Sequence, residues 1–418
     1  MRKLILIVVT ALVLTSVASA EPYYSVLFGQ SCFLCHQNPT GRGLRSTYGS
    51  QFFATRYLPK WVPADSVLAK VSPQVSSSVL VGLDFRQIWM AEDAPAAGQR
   101  AGFSEPFSSN TGSDNMMNAT LYLAFQPTEK IALRYTQDIV GTYFGVHRFE
   151  AYGMAHLLPF HGYVKAGQFQ ENYGWGFADH TAFVRTGLWE GYNGVVSSGG
   201  GTPVPPIPPR YGVGGEIGFS PSHINVTASY TETADPPLEP GPQDSQKRWT
   251  GRIMAQEGIQ KLGLEFTGGV SGWYAPAFGG DSTRQKWWGG FGGIGWQGLP
   301  DKFGCTRGFG FLTTAALFEY DRKAWTPISI GQAVTSAYST TQVSVMVQPG
   351  VWVLGAYDWL DNTGKKDGNE AQRYSVGLQI FPWPWVDISP MYRLYKQPAI
   401  NGVKRDIRHA ELQAHFLF

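Results

Sequence analysis

From about residue 74 to the end of the chain, apolar and polar side chains alternate one by one. Ile224, Val226, Ala228 and Tyr230 interleave with Asn225, Thr227, Ser229 and Thr231. Val343, Val345 and Val347 interleave with Gln342, Ser344, Met346 and Gln348, and Tyr374, Val376, Leu378 and Ile380 with Ser375, Gly377 and Gln379. At the end, Ala410, Leu412, Ala414, Phe416 and Phe418 alternate with His409, Glu411, Gln413 and His415. A period of two puts successive side chains on opposite faces of an extended strand. The segments run for about ten residues, the length that crosses a bilayer as a tilted strand. They are predicted to start near residues 74, 115, 129, 147, 161, 211, 223, 247, 260, 285, 307, 334, 350, 370, 385 and 406.

A soluble sandwich shows the same alternation, so the connections have to decide. Short turns are predicted at Gln126-Pro127, Pro159-Phe160-His161, Ser220-Pro221-Ser222, Gln348-Pro349-Gly350 and Pro382-Trp383-Pro384. Long Gly/Pro-rich loops fall between them, around 94–114, 171–210, 233–246, 273–284, 361–369 and 397–405. The connection at 144–147 is short where a long one is due. Outer-membrane barrels have an even strand number, short periplasmic turns and long extracellular loops. The expected fold is therefore all-β: an antiparallel transmembrane barrel of about sixteen strands over residues 73–418, its last strand running to Phe418 and both its ends on the periplasmic side.

Composition agrees. Charged residues are 15% of the chain, against roughly 25% in soluble domains. Gly contributes 50 residues, and there are 14 Trp, 20 Tyr and 25 Phe. So much Gly disfavours a helical protein, and so many aromatics disfavour disorder. The 33 basic and 31 acidic side chains leave a net charge of +2, without the basic excess of a nucleic-acid binder.

The first twenty residues carry Arg2 and Lys3, an apolar run Leu4 to Val17, and small residues Ala18-Ser19-Ala20. That is the layout of a secretory signal peptide, so the mature chain is expected to start at Glu21. Cys32-Phe33-Leu34-Cys35-His36 then forms a C-x-x-C-H motif, the attachment site of a c-type haem. Cys32 and Cys35 are expected to form thioethers to one covalently attached haem c, with His36 as proximal iron ligand. Neither the βαβ context of a thioredoxin pair nor the second ligand pair of a zinc site is present. In the turn Gln37 to Gly43, a carbonyl near Pro39 is a candidate acceptor for the His36 ring N–H. Leu44, Tyr48 and Phe52, at i, i+4 and i+8, predict a short amphipathic helix. Arg42 and Arg45 are candidate partners for haem propionates, or else solvated surface charges. This haem segment, residues 21–72, is too short for a sufficient core of its own. A barrel of this size leaves an aqueous channel unless filled, so the segment is expected to plug the lumen.

Signal peptide, one C-x-x-C-H and a sixteen-strand barrel together resemble the fused outer-membrane monohaem cytochrome c–porin family. At residue level the resemblance covers about Gly29 to Phe53. Gly41-Arg42-Gly43-Leu44-Arg45 with Tyr48-Gly49 is also similar to haem-bearing porin-like proteins of metal- and sulfur-metabolising bacteria. The resemblance implies haem on Cys32 and Cys35, His36 on the iron, and an outer-membrane location in a Gram-negative bacterium. It implies electron exchange between an extracellular donor or acceptor, such as ferrous iron, and a periplasmic cytochrome, with membrane lipid around the barrel. Two other functions are compatible with the residues: a diffusion porin with a haem-bearing gate or plug, and a barrel-anchored haem peroxidase or sensor. No distal acid–base pair in the haem segment supports the peroxidase. For the sixth iron ligand, lumen-facing parity offers Met116, Met154, His156, Met254, Met346, Met391, His409 and His415, the last two near the seam. Cys305 falls in a predicted short turn and reads as an inert thiol. Loop 171–210, with Asp179-His180-Thr181, either folds inward or extends outside.

Overall fold

A computed structural model describes residues 22–29, 32–41, 43–53, 72–93, 116–139, 149–175, 211–233, 247–276, 285–297, 313–325, 334–348, 350–361, 370–396 and 406–417. Sixteen strands follow one another: β1 (Val79–Asp93), β2 (Met116–Thr128), β3 (Ile131–Asp138), β4 (Phe149–Leu158), β5 (Gly162–Gln170), β6 (Tyr211–Phe219), β7 (Ile224–Thr233) and β8 (Lys247–Ile259). The series continues with β9 (Leu264–Ala275), β10 (Gln285–Trp296), β11 (Thr313–Trp325), β12 (Val334–Gln348), β13 (Val351–Asp361), β14 (Ala371–Trp383), β15 (Val386–Lys396) and β16 (Asp406–Leu417). Each pairs antiparallel with its neighbour in sequence, and β1 pairs with β16, so the sheet closes into a barrel. Closure satisfies every strand edge, which a bilayer requires.

The strands begin within a few residues of their expected positions. One end of the barrel has tight turns. Between β4 and β5, Gly162 N donates to Pro159 O at 3.0 Å, and Phe160 and His161 both take positive φ, 57° and 53°. That is the backbone of a type I′ hairpin turn, whose twist matches the strands it joins. One connection differs from expectation. β3 ends at Asp138 and β4 starts at Phe149, so this loop is longer than the predicted 144–147. Cys305, expected in a short turn, lies outside the described residues. The signal peptide, Arg42 and Asp179-His180-Thr181 also lie outside them.

The barrel is polar inside and apolar outside. Thr227, Ser229 and Thr231 of β7 are buried while Ile224 is exposed. On β12 Ser344 and Met346 are buried and Val343 is exposed; on β14 Ser375 and Gln379 are buried and Val376 is exposed. The outer surface is also graded. Phe149, Trp249, Trp288 and Tyr374 are exposed towards the long-loop end, and Phe125, Phe160, Phe266 and Trp383 towards the tight-turn end. Ile253, Val270 and Val376 are exposed between them. An apolar band between two aromatic girdles is the exterior of a membrane-spanning barrel. No described helix is long and apolar enough to cross a membrane.

Candidate functional site: the segments inside the barrel

Two stretches of chain occupy the interior. The first is N-terminal. Helix α1 (Pro22–Phe28) starts on a proline, which suits the first helical position. It stops at Gly29 in the left-handed conformation, φ 59°. Its Val26 and Leu27 are fully buried. The Tyr24 ring meets Trp352 of β13 edge-on at 5.6 Å and Phe381 of β14 at 6.2 Å. Gln256 of β8 donates to Ser25 O at 2.9 Å, and Gln297 donates to Leu27 O. A Cβ at Gly295 of β10 would lie 2.6 Å from Leu27 Cα, so glycine there lets the helix lie against the wall. All these wall residues are near the tight-turn ends of their strands. Nothing in the sequence pattern announced α1: a seven-residue helix is marginal alone, and this one forms where the lumen packs Tyr24, Val26 and Leu27.

Beyond α1, Cys32–Cys35 forms one helical turn, α2. His36 follows directly and is buried. Its Nδ1 lies 3.2 Å from Gly43 O. A carbonyl only accepts, so Nδ1 carries the proton and the lone pair sits on Nε2. The acceptor expected near Pro39 is thus Gly43 instead. The cause is a reversal of the chain: His36 and Arg45 form an antiparallel bridge, with Gln37 N bonded to Leu44 O at 3.0 Å. Gly41 and Gly43 permit it through positive φ, 85° and 62°.

Of the expected helix through Leu44, Tyr48 and Phe52, Tyr48 and Phe52 lie in a helical turn, and the bridge takes Leu44 out of it. Leu44 lies in a bend and Arg45 in the bridge, and the described helical turn spans Tyr48–Phe53 as a π-helix. Ser46 clamps it, its hydroxyl donating to Leu34 O at 2.7 Å and accepting from Gly49 N at 3.0 Å. A Cβ on Gly49 would lie 2.1 Å from Cys35 O, so the two turns touch backbone to backbone. Leu44 packs instead on Leu80 and Ala124 of the wall, with Tyr122 beside them. Arg45 is buried, and burial pulls its guanidinium down to about 10. Cys35 is half-buried and forms no disulfide. Two cysteines bounding one helical turn, followed by an imidazole with its lone pair on Nε2, form a donor set that fits a c-type haem.

The wall contributes a residue the sequence reading passed over. Arg134 of β3 donates through Nη2 to Gln37 Oε1 at 3.3 Å and through Nη1 to the Tyr152 hydroxyl at 3.4 Å. The only signal for it was a charged residue at lumen parity between Ala132 and Thr136.

The second interior stretch, residues 171–175, follows β5 and crosses the inner face of β7 to β10. Glu171 is fully buried, 2.9 Å from Arg248 Nε, and accepts from Thr231 at 2.5 Å and from Trp273 Nε1 at 2.8 Å. Asn172 donates to Thr227, Gly174 N to Ser271 at 3.0 Å, and Arg252 to Gly174 O at 3.0 Å. Trp175 donates to Gly292 O and stands edge-on to Phe291 at 5.2 Å. The described start of loop 171–210 therefore folds inward.

The candidates for a sixth ligand are spread around the wall. Met154, Met254, Met346, His409 and His415 are buried; His156 and Met391 are half-buried, and nothing describes the Met116 side chain. His415 Nε2 lies 3.1 Å from both Asp84 Oδ1 and Arg86 Nε. His409 Nε2 lies 3.5 Å from Glu411 Oε2, and Glu411 pairs with Arg393 at 2.5 Å. Both seam histidines thus belong to ionic networks of the wall. Met254 accepts from Arg252 at 3.1 Å.

With this geometry in view, the solved structures place the architecture. The anion-selective porin from Comamonas acidovorans aligns over 82% of this chain and 100% of its own, at 13% identity and a TM-score of 0.52. The chain has the fold of an outer-membrane porin. The outer membrane channel DcaP of Acinetobacter baumannii (82% of this chain, 99% of its own, 12% identity, TM-score 0.47) and OmpT of Vibrio cholerae (82% and 98%, 11%, 0.48) are similar at lower scores. No protein-family model and no curated protein sequence matches the chain.

Proposed function

We propose that this porin-like barrel sits in the outer membrane of a Gram-negative bacterium and carries one haem c on the segment inside its tight-turn mouth. We infer that it serves electron transfer between a periplasmic cytochrome and a donor or acceptor outside the cell, ferrous iron among the donors. The observation that carries this reading is His36: buried, inside a barrel wall, and with its tautomer set by Gly43 O. When bound, haem c supplies a one-electron iron couple. The chain does the rest. Cys32 and Cys35 are the thioether positions, and the Gly49 contact fixes the turn that spaces them. Gly43 orients the His36 imidazole. Leu44, Leu80, Ala124 and Tyr122 exclude water from one side of the segment.

The likeness to porins supports a second reading more directly than electron transfer: a diffusion channel whose N-terminal segment is a plug or gate. The polar lumen wall suits passage of hydrophilic solutes. Intact cells separate the two. Haem absorbance is followed while a membrane-impermeant reductant or ferrous iron is added, with Cys35→Ala as control. Fast reduction in cells but not in the control supports electron transfer. Reduction only after the outer membrane is opened, together with solute flux in liposome swelling, supports the channel.

A further inference from the structure

Five buried cations on the lumen wall come with an anion. Lys165 meets Glu216 at 2.6 Å, Arg248 meets Glu171 at 2.9 Å, Arg373 meets Asp358 at 2.7 Å, Arg393 meets Glu411 at 2.5 Å, and Arg86 lies 3.5 Å from Asp84. Arg252 meets a backbone carbonyl instead, Gly174 O at 3.0 Å, and among the described residues Arg134 has neither. It is only 8% exposed, and its Nε has no hydrogen-bond partner. Its terminal nitrogens meet two neutral groups, the Tyr152 hydroxyl and the Gln37 side-chain carbonyl. Among the described residues no carboxylate lies within ion-pair distance of it. A buried guanidinium is strongly unfavourable without a counter-anion, and this one has a donor to spare beside the residue that follows His36.

We propose that Arg134 is the anion-binding residue of this site, and that its guanidinium takes a propionate carboxylate of the haem attached at Cys32 and Cys35. The inference rests on the haem reading above. It reaches beyond the motif, because it joins the N-terminal segment to β3. Guanidinium and carboxylate match as a planar, charge-assisted pair. The Arg134 charge then offsets a propionate charge near the iron. Without it, the bare carboxylate favours the more positive, oxidised iron, and the reduction potential falls.

The test uses the full-length protein made in cells that mature c-type cytochromes and purified in detergent, as wild type, Arg134→Gln and Arg134→Lys. Haem staining of the denatured wild type comes first: absence of covalent haem overturns the parent reading and this one with it. With haem present, redox titration is expected to show a tenfold shift toward the oxidised form in Arg134→Gln, about 59 mV for a one-electron couple, and a smaller shift in Arg134→Lys. The propionate bending band in resonance Raman moves in both variants. Haem retained with unchanged potential and unchanged Raman band in both variants overturns the proposal while leaving the haem reading intact. If added acetate shifts the wild-type potential and the Raman band does not respond to substitution, Arg134 holds a solution carboxylate, and the propionate assignment fails. Arg134→Lys keeps the test open if Arg134→Gln does not fold.

Discussion

Replacing Glu171 by Ala tests whether the chain after β5 is held inside the barrel by charge. The carboxylate and the Arg248 side chain are both fully buried, and they lie 2.9 Å apart. Thr231 and Trp273 complete the carboxylate's hydrogen bonds at 2.5 Å and 2.8 Å. Among the described residues, Arg248 also donates to Tyr211 O at 2.5 Å. Removing one partner of such a pair leaves an uncompensated buried charge, which costs about 3–5 kcal/mol. At about 1.4 kcal/mol per tenfold, the inward position loses roughly 10²- to 10⁴-fold in population against release from the wall. Urea unfolding in detergent micelles reads the stability, and single-channel conductance in planar bilayers reads the lumen. Glu171→Ala is expected to unfold at lower urea and to conduct more than wild type. Pairing it with Arg248→Met removes the stranded charge as well, and an apolar replacement of a whole pair is often near neutral. The double variant should therefore recover most of the stability but keep the raised conductance. If it is as unstable as the single variant, the reasoning from stranded charge is wrong.

Further outcomes follow from the same geometry. Cys35→Ala should abolish covalent haem, read by haem stain on a denaturing gel, while leaving barrel content by circular dichroism unchanged. Gly49→Ala forces a methyl into the Cys35 carbonyl; overpacking of this kind costs about 1–3 kcal/mol, so haem attachment should fall although no ligand is touched. Val376→Arg places a charge in the middle of the lipid-facing band and should cost about 2–4 kcal/mol in unfolding from bilayers. Ser344→Ala, inside the barrel on β12, should cost much less in the same assay.

The barrel was legible in the sequence because each strand carries its own record. A period of two, ten-residue spacing and Pro-containing turns are local signals, and the β4–β5 and β6–β7 turns lie where Pro159 and Pro221 put them. The candidate haem ligands were legible for the same reason, since Cys32, Cys35 and His36 are adjacent in the chain. Where reading failed, a long-range contact had won. Leu44, Tyr48 and Phe52 have helical spacing, but the His36–Arg45 bridge and the wall at Leu80 and Ala124 keep Leu44 out of the helical turn. The Gly43 acceptor was missed because nearness to Pro39 in sequence does not say where a reversing chain returns.

The sequence by itself determined the strand count, the alternation of faces and the C-x-x-C-H motif, since propensity, period and motif all act over a few residues. The alternation alone is shared by a sandwich and a barrel; the turn and loop lengths pointed to the barrel, and closure of β1 on β16 puts the polar face inside. The tertiary structure also decided that α1 and residues 171–175 occupy the lumen, that Arg248 finds Glu171, and that Arg134 reaches Gln37. Those pairings join residues far apart in the chain. What fixes them is the need to give each buried charge and each unfilled volume a partner, and that need arises only once the barrel has closed.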